Sequence, residues 1–382
     1  MLPLEGLLVL DFSQYLAGPS CALRMADLGA QVLKIERREG GDACRQLYLA
    51  DLAIDDDSAL FHTINRNKGS IAVDLKSSED LAAIKRLIAR ADVMIQNFRP
   101  GVMERLGLGY GAVEKLNPSI VYGSISGYGD SGPWRDLPGQ DLLIQSLSGL
   151  TWMSGNAGDP PVPVGVSIAD IITGAHLCQG LVAALLRRAR TGQGALVEVS
   201  LMESILDLQF EGLTHFVSGD REQPSRSAIS NGYVYHGGPY GLFATRDGYL
   251  AVAMNPVDKL GELVGSPDLA AMSDRAIWFE RRDEIKELLQ NALLTRSSEA
   301  WLAVLQPAGI WCGPVLDWPE LTQHPGFAAL DMLQTTVTGA GTPLVTTRCP
   351  IRIDGQILKH RRGGPALGEN NDMLAHLSED TA

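Results

Sequence analysis

Apolar residues fall into short blocks separated by amphipathic stretches. Leu7 to Phe12 (LLVLDF) reads as a buried strand. Gly18-Pro19 then opens an amphipathic helix with Cys21, Leu23, Met25 and Leu28 on its apolar face and Gly29 as a C′ stop. Gln31 to Glu36 (QVLKIE) gives a second strand, completing a compact βαβ unit with parallel strands. The pattern recurs. Ser70 to Asp74 is a strand, and Ser77 caps a helix running to about Arg90 with Asp80 at N3. Asp92 to Gln96 is the next strand, and Ile120 to Ser124 another. Alternation of this kind over the first 120 or so residues predicts a doubly wound α/β domain.

Gly127 to Pro138 (GYGDSGPWRDLP) is a loop by composition, and Asp141 to Leu150 is helical. Ile168 to Arg190 forms a long, Ala-rich helix with basic residues in its last turn, matching the helix dipole. Ala195 to Ser200 is a strand followed by another helix from Leu201. The character changes near residue 218. Tyr240 to Thr245 and Tyr249 to Ala253, joined by Arg246-Asp247-Gly248, carry a hairpin signal. Helices follow at 281–295 and 298–306, so 225–325 reads as a smaller α+β domain, and strands return in the tail.

Composition narrows the functional classes. The chain has 382 residues, 45% of them hydrophobic, which supplies a sizeable core. The net charge of -13 argues against a nucleic-acid partner, which calls for a basic face. The N-terminal segment lacks a basic region ahead of its apolar stretch, so it does not read as a signal peptide, and no apolar run reads as a membrane span. Five scattered cysteines without CxxC or Cys/His spacing indicate no disulfide framework and no metal site, and point to a reducing, cytoplasmic compartment.

Candidate chemistry is sparse. Gly127, Gly129 and Gly132 fit G-x-G-x-x-G, but Pro133 to Pro138 follow where a dinucleotide-binding helix must open, so the motif reads as a plain glycine-rich loop. Asp170 is a lone carboxylate at the start of the long apolar helix. Two readings stand: an ordinary cap, or a nucleophile kept ionised by the helix N-terminus. Arg37, Arg38, Lys76, Arg99 and Arg105 gather at predicted strand ends, where open α/β sheets bind ligands. Gly237 and Gly238 are either a turn or a loop whose N–H groups stabilise an oxyanion. His176 sits within the apolar helix and reads as a packed core residue.

Taken together, the segments LEGLLVLDFSQYLAGPS, NRNKGSIAVDLKSSE, ADVMIQNFRPGVMERLGLGY, GYGDSGPW, GQDLLIQSLSGL, ADIITG, RTGQGALVEVS, GIWCGPV and PALGEN resemble the family III CoA-transferases (CaiB/BaiF family), which include α-methylacyl-CoA racemases. The resemblance runs through nearly the whole chain in the family's order. It implies an interlocked homodimer. Each chain would hold a Rossmann-like large domain built from both ends (1–218 and 331–382) and a small domain inserted at 225–325.

The resemblance also implies site residues. The family's nucleophile falls on Asp170 and its second active-site carboxylate on Asp141. CoA-binding positions fall on Leu16, Ala17, Arg37, Val73, Asp74, Leu75, Lys76, Asn97, Phe98, Arg99, Arg105, Leu137, Pro138, Gly139 and Gln140. The family's mobile glycine loop has its counterpart at Gly237-Gly238. Two positions depart from relatives. Gln140 replaces the histidine of the racemases, removing one of the two bases that inversion requires. Leu16 replaces the glutamine of the formyl-CoA transferases. The resemblance implies transfer of CoA from a succinyl-CoA-like donor to a free carboxylic acid, with acyl-CoA as substrate, no prosthetic group and no metal; an acyl-CoA racemase or isomerase of the same family and a non-catalytic CoA-binding protein are the alternatives.

Overall fold

The computed structural model describes residues 1–374. The chain forms two compact units. The first comprises Met1–Ile144, Ser167–Leu208 and the segment from Leu330 onward; the second comprises Gln145–Val166 and Gln209–Ala329.

The first unit is built on a six-stranded sheet. Its strands are Leu8–Asp11 (β1), Gln31–Arg37 (β2), Gly69–Val73 (β3), Val93–Gln96 (β4), Val121–Ser126 (β5) and Ala195–Ser200 (β6), in the spatial order β3-β2-β1-β4-β5-β6. Every neighbouring pair is parallel. Parallel strands are covered on both faces, which is why most of them appear in the sequence as uninterrupted apolar runs. The core joins Leu10, Phe12, Leu33, Ile71 and Met94 from the sheet to Ile84 and Leu87 of the helix Ser78–Ile88 (α2). Ser77 caps α2 as its sequence indicates, its hydroxyl accepting the Asp80 N–H at 3.4 Å. Ala17–Asp27 (α1) packs against Ile168–Thr191, a helix introduced by the shorter Asp141–Leu147 (α3) and numbered α4.

Among the described residues α4 is the one helix long and apolar enough, by length and composition, to cross a membrane. Thr173, Gly174, Leu177, Leu181 and Leu185 are buried, whereas Ile171, Val182 and Leu186 stand exposed. His176 is not a packed core residue: its Nε2 lies 3.3 Å from Asp207 Oδ2 on the neighbouring helix Leu201–Leu208 (α5), and the ring is partly exposed.

Among the described residues the tail does not extend the sheet. Leu333–Val337 and Pro343–Thr347 pair with each other as an antiparallel hairpin. Beyond it, Asn371 accepts the Ala72 N–H at 2.7 Å and returns its amide to the Ala72 carbonyl at 3.0 Å. One side chain thus covers the outer edge of β3, which would otherwise offer unpaired backbone groups.

The second unit has its own core around Trp301, Phe243, Leu250, Ile285 and Leu289. Its small antiparallel sheet holds Gly241–Ala244 (β7), Tyr249–Val252 (β8) and Cys312–Pro314 (β9), flanked by helices that include Arg282–Leu293 and Ser298–Leu305.

Candidate active site

Parallel strands send all their carboxyl ends to one edge of the sheet. That edge gathers the loops after β1, β2, β3 and β4. The chain runs outward from β1 to β2 and β3 on one side and from β4 to β5 and β6 on the other. The reversal between β1 and β4 is where open α/β sheets hold ligands.

The loop after β1 is held rigidly from below. Lys34 Nζ donates to the Ser13 carbonyl at 2.8 Å and lies 2.7 Å from Asp42 Oδ2. Lys68 Nζ lies 2.8 Å from Asp11 Oδ2, and all four of these charged side chains are buried. Burial opposes each charge. For Asp11, Lys68 and Lys34 more than offset it and hold the carboxyl below its ordinary range. For Lys34, Asp11 and Asp42 do the reverse, and its pKa stands above the ordinary lysine value. Asp42 also accepts the Tyr15 N–H at 3.3 Å, where the backbone takes a left-handed φ of 64°. This network was missed in the sequence. Its signal was a charged residue inside an apolar strand, as in LLVLDF and QVLKIE.

Asn97, at the end of β4, completes the clamp. Its Oδ1 accepts the Gln14 N–H and its Nδ2 donates to the Gln14 carbonyl, both at 2.8 Å. The side-chain amide is therefore engaged with the β1 loop, with one further hydrogen-bonding position at each end. Leu16 and Ala17 follow at the start of α1, Ala17 buried and Leu16 half-buried.

The expected basic residues divide into two groups. Arg38 makes a bidentate pair with Asp80, at 3.0 and 2.7 Å, and is occupied. Arg37 makes one bond, from Nε to the Gly41 carbonyl at 3.2 Å. Lys76, Arg99 and Arg105 are exposed and have no ion-pair partner among the described residues. Val73 ends β3 in the core, and Asp74 Oδ1 accepts the Lys76 N–H at 2.9 Å, so Asp74-Leu75-Lys76 form an ordered turn at the edge. Phe98 and Arg99 line a cavity of about 500 Å³ at the ends of β4, β5 and β6. Arg135 lines the same cavity and was not singled out beforehand, because its segment reads only as a loop.

That loop folds back on itself. A Cβ on Gly139 would sit 2.7 Å from the Gly127 Cα, so the two strands of the loop cross at a point where neither tolerates a side chain. No helix opens after Gly132 in the manner of a dinucleotide site. Leu137, Pro138, Gly139 and Gln140 are all exposed on the returning limb, which leads directly into α3.

Asp141, the first residue of α3, reaches across to α4. Its Oδ2 accepts the Ala169 N–H at 2.7 Å and the Asp170 N–H at 3.3 Å. Ser167, at the N-cap of α4, makes no side-chain cap of its own, so Asp141 supplies it from another helix. This corrects the expectation that the helix N-terminus keeps Asp170 ionised. The donors are taken, burial disfavours the charge, and the Asp141 carboxylate repels it. The Asp170 carboxyl is pushed up to about 7. Asp170 also lies one turn before Gly174, where an added Cβ would meet the Ala17 carbonyl at 2.6 Å. The structure thus brings Asp170, Asp141, Leu16 and Ala17 to one corner.

Gly237 and Gly238 belong to the second unit. The Gly238 N–H is committed to the Trp278 carbonyl at 3.0 Å, and a Cβ there would meet Ile285 at 2.6 Å. This glycine is required by close packing, and its N–H is not available to an oxyanion.

Comparison with known proteins agrees along the full length. Residues 4–371 match the sequence profile described as CoA-transferase family III. The chain is 33% identical over 380 residues to the acetyl-CoA:oxalate CoA-transferase of Acetobacter aceti, covering 97% of this chain and 95% of that protein. It is 29% identical over 387 residues to the succinate–glutarate CoA-transferase of Agrobacterium fabrum, covering 98% and 96%. A crystal structure of a CaiB/BaiF family protein from Brucella suis superposes with a TM-score of 0.84 at 30% identity, covering 98% of this chain and 99% of that one.

Proposed function

The chain belongs to CoA-transferase family III, and on that footing we propose that it moves CoA from a succinyl-CoA-like donor to a short dicarboxylic or substituted carboxylic acid, with Asp170 as the covalent carrier. The observation that carries this reading is the Asp141–Asp170 pair at the head of α4. A carboxyl with a pKa of about 7 is available as a nucleophile near neutral pH and is more basic than an ordinary aspartate.

The steps balance without an external energy source. The Asp170 carboxylate attacks the thioester carbonyl of the donor and expels CoA thiolate, leaving a mixed anhydride. The thiolate attacks the aspartyl carbonyl, releases the donor acid and forms an aspartyl–CoA thioester. The acceptor carboxylate attacks that carbonyl and expels the thiolate again. The thiolate then takes the acceptor acyl group from the second anhydride, and Asp170 is regenerated. Each step exchanges one activated acyl bond for another, so the thioester energy is conserved.

The CoA phosphates are assigned to Arg37, Lys76, Arg99 and Arg105, whose lack of ion-pair partners among the described residues supports this use. Asp74, Leu75 and Phe98 line their path, and Leu137 to Gln140 flank the nucleophile. Asn97 positions the β1 loop. Gln140 cannot accept a proton near neutral pH, which disfavours the racemase alternative. An interlocked homodimer is part of the proposal. The exposed Ile171, Val182 and Leu186 on one helix, together with Leu208, are the kind of apolar surface that a second chain covers.

The test is incubation with succinyl-CoA and a panel of carboxylic acids, without ATP, followed by product mass. A new acyl-CoA and stoichiometric succinate are expected. Hydrolysis alone across the panel, or rapid deuterium uptake at C2 of a 2-methylacyl-CoA with loss of optical purity in deuterium oxide without an acceptor acid, would contradict the reading.

A further inference from the structure

The second unit contains a cavity of about 540 Å³, within the range of about 300–1,000 Å³ typical of small-molecule sites. Its lining is unusual for so acidic a chain. The net charge is -13, yet none of the lining residues is acidic, and Arg275, His215 and His236 all face it. The Arg275 guanidinium has no hydrogen-bond or ion-pair partner among the described residues and lies 5.6 Å from the centroid of the Trp278 ring. The neighbouring Asp274 carboxylate accepts the Ala276 N–H at 2.9 Å as a cap. Much of the remaining lining is apolar or aromatic, and its one side-chain amide, Asn255, is bonded to the backbone of Ala253 and Trp311. Trp278 and Phe279 lie on one side, and Tyr235 and His236 belong to a ladder of rings spaced 4.7 to 6.0 Å apart. Phe279 is about half exposed, and the Arg282 guanidinium lies 4.6 Å from its ring centroid.

We propose that this cavity binds an organic monocarboxylate with a flat, apolar body. Arg275 takes the carboxylate and the Trp278–Phe279 wall takes the body. One unpaired guanidinium matches one carboxylate in bidentate geometry. Aromatic walls reward a planar unsaturated or aromatic skeleton, by stacking and by area removed from water. The volume is larger than a two-carbon diacid fills. This inference rests on the reading above, in which free carboxylic acids are the enzyme's second substrates, and it narrows their class.

Binding is measured separately from turnover by using the Asp170→Ala protein, which cannot carry an acyl group. Calorimetric titration compares benzoate, its uncharged analogue benzamide, and oxalate. Benzoate is expected to bind once per chain, with benzamide and oxalate weaker by at least about 10-fold, the scale of a hydrogen bond to a charged group. Arg275→Met should erase the preference for benzoate over benzamide, while Phe279→Ala should weaken both alike. Both residues are exposed, so the variants keep the fold. Absence of benzoate binding, or an unchanged preference in Arg275→Met, would overturn the proposal. Either result leaves CoA transfer by the Asp170-containing enzyme untouched. Absence of CoA transfer by the Asp170-containing enzyme across the acid panel, with benzoate binding intact, would instead count against the transferase reading.

Discussion

The Asp141 carboxylate accepts the Asp170 N–H at 3.3 Å and the preceding N–H of Ala169 at 2.7 Å. One acid therefore occupies the helix-terminal donors that would have lowered the pKa of the other. It also adds its own negative charge beside a partly buried carboxyl. Both effects act in the same direction.

The first prediction is a pH profile. Asp170 is nucleophilic only when deprotonated, and its pKa is raised from 3.8 to about 7. kcat/KM for acyl-CoA should therefore fall about tenfold per pH unit below pH 7 and level off above it. Asp141→Asn removes the repelling charge and should shift this limb toward lower pH. The linkage sign follows. A carboxyl with a raised folded pKa contributes stability at low pH that is lost as pH rises through about 7. Asp170→Ala should accordingly be relatively more stable than the native protein above that pH. A flat kcat/KM profile from pH 5 to 8 would exclude Asp170 as the titrating nucleophile.

A second prediction separates binding from chemistry. Arg37→Ala, Lys76→Ala and Arg105→Ala should each raise KM for acyl-CoA by an amount equivalent to about 1–3 kcal/mol, with kcat less affected, because phosphate contacts are alike in ground and transition states. Arg38→Ala, whose guanidinium is already paired with Asp80, should leave KM almost unchanged. Steady-state kinetics on the four variants decides whether the CoA site lies at this edge.

Asn97 is predicted to behave differently from the cations. Its two bonds to Gln14 hold the β1 loop. Asn97→Ala should destabilise the protein by about 1–3 kcal/mol, the net value of two hydrogen bonds, and raise KM without altering its salt dependence. Lys76→Ala should alter that salt dependence. Thermal unfolding combined with KM at two ionic strengths distinguishes the two behaviours.

Much of the first unit was legible in the sequence, for a physical reason. Strands buried on both faces must be apolar throughout, so LLVLDF, SIAVD and DVMIQ declare themselves within a residue or two of β1, β3 and β4. The hairpin of β7 and β8 was equally plain, because Asp247-Gly248 mark its turn. What stayed hidden was tertiary. No local pattern links Asp141 to an N–H 28 residues later. Nor does any pattern show that Asn97 faces Gln14, or that Lys34 and Lys68 neutralise Asp11 and Asp42 in the core. The Gly127–Gly139 crossing likewise depends on the loop's return, which composition does not encode.

A fourth prediction concerns assembly. If two chains are threaded through each other, they cannot part without unfolding, so dilution alone should not yield monomer. Light scattering at falling concentration should report a constant dimer mass up to the unfolding transition. A folded monomer at low concentration would refute the interlocked arrangement.

The covalent role of Asp170 is tested most directly by trapping. The enzyme is mixed with succinyl-CoA, quenched with hydroxylamine and digested for peptide mass spectrometry. The account predicts a hydroxamate on Asp170, absent without succinyl-CoA, and no transfer by a folded Asp170→Ala protein. An unmodified Asp170 together with full activity of Asp170→Ala would contradict it.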